Sequence, residues 1–412
     1  MARRSNRGRL RAGFVAGVAA LIALAVGVPS AGAGGGGTGT GRGGGHHRAA
    51  GTRSGPLAGQ GMWIWYVSRS NGGSVRSIAR QAHAYDIDTV FIKSSDGSSD
   101  WSQFTPKLVR ALHSRGLNVC AWQFVYGFHP RREATLGARA KADGADCLAI
   151  DAESHYEGRY GAASVYIRKL RRLVGDRYLV ALASFPYVDY HPGLPYSVFL
   201  GPRGAQRNVP QVYWHAIGTS PRTALRHTFQ YNRVYRRRIE PLGQTYGGPP
   251  LHELRAFRRY SLSYGFDGLS WWSWQETNRA EWRTLGDSIR HPYRHFSRTR
   301  AYPQLQRGSA GDLVVWAQEH LVAAGHRIRI NGRFGRGIRT AVKHFQSRRG
   351  LPVTGTIGPI TWRALLKVEP VAVNWSHPRR SLAKADAPRG GKPRSASLPA
   401  VRDEIPPRPP RR

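Results

Sequence analysis

The residues best placed to do chemistry lie in one short run, Cys147-Leu148-Ala149-Ile150-Asp151-Ala152-Glu153. Read as a strand, its period-2 alternation sends Leu148, Ile150 and Ala152 to one face and Asp151 and Glu153 together to the other. Two carboxylates on one side of a strand repel, so at least one should keep its proton to higher pH, as a general acid must. The competing role is structural: a pair salt-bridged to an arginine in a solvated loop. Further candidates fall near the ends of other apolar runs. Gln211 and Tyr213 alternate with Val212, Gln244 and Tyr246 share a face, and Ser270, Trp272 and Trp274 oppose Leu269 and Trp271. The amides and phenols could hydrogen-bond a hydroxyl-rich ligand, and Trp272 or Trp274 could floor a subsite by stacking. Asp189, in Tyr187-Val188-Asp189-Tyr190-His191, is a further candidate polar contact. The chain has no Gly-x-Ser-x-Gly elbow and no His-Glu-x-x-His pair, so no metal or other cofactor is expected.

These residues need a scaffold that gathers strand ends. Between residues 61 and 290 short apolar runs alternate with amphipathic stretches. The predicted strands are Met62–Val67, Thr89–Lys93, Leu117–Val125, Cys147–Asp151, Tyr178–Ser184, Val209–Trp214, Ile239–Tyr246 and Gly268–Trp274. Helical patterns fall between most of them, at Ser74–Tyr85, Pro106–Arg115, Arg132–Ala142, Ala162–Leu173, Pro221–Tyr235 and Pro250–Tyr264, and Glu276–Ile289 follows the last. Only the connection from Tyr187 to Asn208 is irregular. The fold class expected is α/β, a (β/α)8 TIM-like barrel, in which chemistry sits where strands end and βα loops begin. An open doubly wound sheet is the alternative, but no Gly-rich phosphate loop follows the first strand.

On this strand Asp151-Ala152-Glu153 resembles the Asp-x-Glu of family 25 glycoside hydrolases, the barrel-type lysozymes. It is also similar to the end of the family 18 chitinase motif, Asp-x-x-Asp-x-Asp-x-Glu, with Asp151 at the last Asp, Asp146 at the first and Ala149 at the middle one. The resemblance implies that Glu153 donates the proton and that Asp151 steadies an intermediate formed by the substrate's own N-acetyl group. Tyr213 corresponds to the Tyr of the chitinase sixth-strand pattern, with Trp214 where an Asp follows it there.

Residues 302–367 carry a denser pattern. Leu305-x-x-Gly308-x-x-Gly311-x-x-Val314 leads into Ala317-Gln318-x-x-Leu321. Then come Asn331-Gly332-x-Phe334-Gly335, Thr340-Ala341-Val342-x-x-Phe345-Gln346 and Gly355-x-Ile357-Gly358-x-x-Thr361-Trp362-x-x-Leu365. This segment resembles the small three-helix peptidoglycan-binding domain appended to many wall hydrolases. Val314, Ala317, Gln318 and Leu321 have helical spacing, as do Ala341, Val342 and Phe345, so most of the motif is core or turn.

The flanks read as addresses and linkers. Arg3, Arg4, Arg7, Arg9 and Arg11 precede an apolar run from Phe14 to Val28 and a small-residue cleavage site, which makes residues 1–33 a secretory signal peptide. Residues 34–60 are a Gly-rich disordered linker and 371–412 a disordered, basic, Pro-rich tail. The apolar run is short for a transmembrane anchor. Across 412 residues, 63 Lys+Arg against 24 Asp+Glu give a formal charge of +39, yet no nucleic-acid motif accompanies it and no specific nucleic-acid partner is expected. Two cysteines exclude a disulfide scaffold; Cys120 and Cys147, on neighbouring strands, are expected to stay reduced in the core.

The combined expectation is a secreted, wall-associated, monomeric glycosidase of muramidase type. It would bind peptidoglycan or a related N-acetylated glycan and cleave β-1,4 bonds. The alternative is a non-catalytic wall-binding protein with a degenerate barrel, favoured by Ala149 and by the absence of an Asp from the first strand, Met62-Trp63-Ile64-Trp65-Tyr66.

Overall fold

Ten strands make one sheet in the computed structural model, which describes residues 55–289, 291–373 and 375. The expected signal peptide, and most of the Gly-rich segment and of the basic tail, lie outside the described residues. The strands are β1 (Gly59–Ile64), β2 (Ile87–Asp96), β3 (Ser99–Asp100), β4 (Asn118–Val125), β5 (Cys147–Ala152), β6 (Leu179–Ser184), β7 (Arg207–Pro210), β8 (Arg238–Ile239), β9 (Leu242–Gln244) and β10 (Gly268–Trp272). They lie in the order β8-β7-β6-β5-β4-β2-β1-β10-β9, all parallel, with β3 folded back antiparallel on β2. The two strands at the ends of this path are consecutive in the chain, separated only by Glu240-Pro241. One parallel bridge, Gln211 with Leu242, links the residue after β7 to the first residue of β9. The sheet is therefore curled, with its strand order following the chain as the βαβ pattern required.

The helices are α1 (Val75–Ala84), α2 (Pro106–His113), α3 (Pro130–Ala142), α4 (Tyr160–Val174), α5 (Tyr196–Phe199), α6 (Trp214–Ile217), α7 (Pro221–Asn232), α8 (Leu251–Tyr264) and α9 (Arg279–Leu285). Local chemistry sets where several of them start. Ser74, Thr105 and Ser220 accept the backbone N–H of Ser77, Leu108 and Thr223, and Asn278 with Glu281 forms a capping box at α9. Proline opens α2, α3 and α7, where its missing N–H costs nothing.

Two apolar layers follow from the strand alternation. Met62, Ile64, Val90, Ile92, Leu148, Ile150, Val180 and Leu182 pack outward against the helices. Trp63, Phe91, Cys120, Trp122, Cys147, Ala149, Ala181 and Val209 fill the inner face. Glycine is required where this filling is tightest, since a Cβ on Gly61 would come within 2.5 Å of the Phe91 ring.

Two expectations are corrected here. The Gly-rich linker does not run to residue 60: Gly59 already pairs with Gly268 in β1, and Leu57 packs into the inner cluster. Cys120 and Cys147 form a disulfide. They are directly opposed in the β4–β5 ladder with both side chains inward, which brings their Cα atoms to 4.6 Å.

Beyond α9, helices α10 (Asp312–Ala323), α11 (Arg336–Arg348) and α12 (Pro359–Leu365) surround Val314, Ala317, Leu321, Val342, Phe345 and Trp362. The motif amides bind backbone. Gln318 accepts the N–H of Asn331 and Gly332, and Gln346 accepts that of Gly355, so each holds a Gly-containing loop against a helix. The described residues of the sheet and of this helical segment belong to one compact unit. No helix among the described residues is long and apolar enough to cross a membrane.

Candidate active site

Asp151, next to last in β5, is on the inner face and buried, and Glu153, just past the strand, is half-buried at the sheet's C-terminal edge. Gln211 reaches both: its Nε2 donates to Asp151 Oδ1 at 2.9 Å and to Glu153 Oε1 at 3.0 Å. One amide nitrogen therefore holds two carboxylate oxygens as near neighbours. The sequence reading put Asp151 and Glu153 on one face and kept Gln211 as a separate candidate, and the strand before Gln211 already ends at Pro210.

Tyr213 and Tyr246 stand beside the pair, edge to face with centroids 5.3 Å apart. Burial pushes the Tyr213 phenol well above its ordinary range, and Tyr246, Asp151, Glu153 and Glu276 push it further the same way. Tyr246 is raised by burial and then by Glu276 and Glu153. Both phenols are neutral at physiological pH and can donate a hydrogen bond where negative charge collects.

Trp272 lies on the inner face, 5.3 Å from Trp122, 5.6 Å from Trp65 and 5.8 Å from Trp63. Against this indole cluster sits Lys93, the last residue of the predicted second strand. Its side chain is 2% exposed, its Nζ donates to Asp96 Oδ2 at 2.6 Å, and it lies 4.4 Å from the Trp65 ring and 4.7 Å from that of Trp122. Two residues after Glu153, His155 packs edge-on against Tyr126 at 4.9 Å, and Phe128 projects into solvent. The turn carrying Phe128 is fixed by Glu133, whose carboxylate accepts the Gly127 N–H. Sequence reading missed Lys93, Trp65, Trp122, Tyr126 and His155. The first three lie on the inward alternation of their strands and were legible in principle, whereas Tyr126 and His155 sit on loops that follow no period.

Three expected site residues are placed otherwise. Gln244 is buried with its amide committed to backbone: Oε1 accepts from His215 and Ala216 N–H, and Nε2 donates to Tyr246 O. It shapes the loop that presents Tyr213. Trp274 lies beyond the end of β10, where alternation stops; it is buried, donates to Asn71 Oδ1 and packs on Trp282 of α9. Asp189 accepts from or pairs with His227 Nε2 at 2.7 Å on α7. Asp146, expected to mirror the first motif Asp, lies before β5 at the opposite end of the strand, accepting Val119 N–H and pairing with His113. Ser270 accepts from Trp63 Nε1 at 3.0 Å inside the sheet. Among the described residues no cluster of His, Cys, Asp or Glu is arranged to hold a metal ion.

Residues 310–365 match the family described as "Putative peptidoglycan binding domain". The chain carries a peptidoglycan-binding domain in its C-terminal part. Among solved structures, a peptidoglycan-binding protein from Clostridioides difficile is 36% identical over 15% of this chain, with a TM-score of 0.15; the match spans 40% of that protein's length. A chitinase from Chromobacterium violaceum is 10% identical over 57% of this chain and all of its own, with a TM-score of 0.43. The Bacillus cereus spore cortex-lytic enzyme SleL is 11% identical over 57% of this chain and 75% of its own, with a TM-score of 0.42. No curated protein matches the chain.

Proposed function

We propose that this protein is a secreted cell-wall glycoside hydrolase, built on a (β/α)8 barrel closed across the Gln211–Leu242 bridge. It cleaves β-1,4 bonds of N-acetylated amino-sugar glycan with assistance from the substrate's acetamido group. The observation that carries the reading is the convergence of Asp151 and Glu153 on Gln211 at the edge of the sheet, in a chain that also carries a peptidoglycan-binding domain. Glu153 protonates the glycosidic oxygen as the bond to the anomeric carbon breaks. The acetamido carbonyl oxygen attacks that carbon, so the nucleophile is intramolecular and the protein supplies only an acid and a stabilising carboxylate. Asp151 orients the acetamido N–H and balances the charge of the cyclic intermediate. Water, deprotonated by the Glu153 carboxylate, then opens the intermediate with overall retention. Gln211 aligns both carboxylates, and Tyr213 donates to the acetamido oxygen. The test is hydrolysis of cell walls and of N-acetylglucosamine oligomers by the full chain beside its Glu153→Gln variant. Turnover by wild type that is lost in Glu153→Gln supports the assignment. No turnover of any of these glycans by wild type, with wall binding intact, means that the barrel only holds glycan.

A further inference from the structure

The helical segment does not hang from the sheet on a tether. Asp312, the first residue of α10, is fully buried in a socket made by the sheet's own loops and helices. Its Oδ1 accepts from Tyr160 Oη at 2.9 Å and from Ser197 Oγ at 2.7 Å, and its Oδ2 accepts from Ser197 N and from Tyr235 Oη, both at 2.8 Å. Four donors from three separate segments saturate one carboxylate. Its own N–H donates to Pro192 O at 2.8 Å. Gly311 before it has φ of +102° and lies so close that a Cβ would come within 2.5 Å of Pro192. Further along α10, Trp316 Nε1 donates to Val234 O at 2.9 Å, and its ring packs on Tyr235.

Two of the three socket segments follow β5 and β6, and the third is the turn before β8. Tyr160 opens α4 at the end of the loop that begins at Glu153, with only the 3-10 turn Ser154–Tyr156 on the way. Pro192 and Ser197 belong to the loop after β6 and to α5. The two loops are laced together, Gly158 N donating to Gly193 O at 2.8 Å and His191 Nδ1 lying 2.9 Å from Glu157 Oε1. A peg that enters both loops fixes the stretch from Glu153 to Tyr160.

We propose that the peptidoglycan-binding segment is a fixed structural part of the site, and that Asp312 is the positioning residue through which it holds the Glu153 loop and the β6–α5 loop in place. The catalytic consequence rests on the reading of Glu153 as the acid; the mechanical one does not. Wall binding and the candidate chemistry then share one rigid frame. A glycan strand captured by the C-terminal domain is presented at a fixed distance from Glu153 rather than by diffusion of a tethered module.

The test uses the full chain as wild type, Asp312→Ala and the double variant Tyr160→Phe/Tyr235→Phe. The double variant removes two donors without opening a cavity and stands in should Asp312→Ala fail to fold. Hydrogen–deuterium exchange is followed in peptides covering residues 153–160 and 185–197. Hydrolysis of soluble N-acetylglucosamine oligomers, which need no wall capture, and sedimentation with peptidoglycan are measured beside it. The expected result is faster exchange in both loops, retained sedimentation, and kcat reduced by about 10- to 100-fold with KM little changed, as for a displaced catalytic group. Unchanged exchange in both loops in a folded variant overturns the proposal. So does faster exchange with unchanged kcat in an active enzyme, because the loops would then be held without consequence for the site. If wild type hydrolyses nothing, the reading of Glu153 falls, and the exchange data alone decide whether Asp312 positions the loops.

Discussion

The mouth of the sheet and the socket of Asp312 handle carboxylates in opposite ways. At the mouth one amide, Gln211 Nε2, is shared between Asp151 and Glu153, with two neutral phenols beside them. In the socket four donors converge on Asp312 alone. The first arrangement gathers negative charge at an edge that a substrate can reach, since Glu153 is half-buried. The second disperses a single charge where nothing can reach it. Donor count also governs how far burial moves a carboxylate. Asp312, fully enclosed, is pushed by burial up to about 6 while its hydrogen bonds pull the other way. Glu240, on the inner face at the opposite end of the sheet, has no hydrogen-bond partner for either oxygen and only the Arg207 guanidinium at 3.1 Å; burial pushes it up to about 8. A buried carboxylate is a structural anchor where donors saturate it and a destabilising one where they do not.

The comparison can be broken most sharply at the mouth. Glu153→Gln keeps the shape of the side chain but cannot give a proton, and loss of general acid catalysis costs about 10²–10⁴-fold in kcat. Asp151→Asn should fall in the same range with glycan affinity largely kept, because the charge of the intermediate loses its partner. Steady-state rates on chito-oligosaccharides and equilibrium binding of the same oligomers separate the two effects.

Trp316, one turn along α10 from the socket, is expected to act on stability. Trp316→Ala removes a buried indole and its bond to Val234 O, and such truncations cost about 3–5 kcal/mol. Denaturant melts should show the C-terminal helices unfolding ahead of the sheet, where wild type unfolds in one transition. A single unshifted transition in the variant would mean that the contact contributes little.

A smaller effect is expected at Tyr213→Phe, which deletes one neutral donor beside the carboxylates. One such hydrogen bond contributes about 1 kcal/mol, or roughly 5-fold in kcat. An effect as large as that of Glu153→Gln would make the phenol a proton donor in its own right.

The remaining effect is a slope with pH. Glu240 has a folded-state pKa of about 8 against an ordinary 4.5, so the stability it contributes is fully present below pH 4.5 and is lost as pH rises towards 8. Arg207 and Arg238 lower that value and Asp267 raises it, all less strongly than burial. Glu240→Gln removes the titration, so the melting temperature of the variant relative to wild type should climb steadily from pH 4.5 to 8. A difference that does not change with pH would show that water or Arg207 already satisfies the carboxylate.

Much of this molecule is local and therefore legible in the sequence. Alternation placed the long strands and amphipathic spacing placed most helices within a few residues, because both depend on neighbours a few positions away. The same alternation turned Asp151 and Glu153 to one side, and the motif residues after 302 carry the resemblance to a peptidoglycan-binding domain. Register, loop path and docking were not legible. The Cys120–Cys147 disulfide depends on which residues of β4 and β5 stand opposite. Trp274 left the face assigned to it because β10 stops at Trp272, and Gln244 turned its amide to the backbone of a loop whose path no period specifies. Asp312 shows the limit most clearly. In the sequence it is one acidic residue at a helix start, while Tyr160, Ser197 and Tyr235 lie far from it along the chain. Only the folding of three distant segments onto one point turns it into a peg, because a side chain's partners across space are set by the whole path of the backbone and not by its neighbours in line.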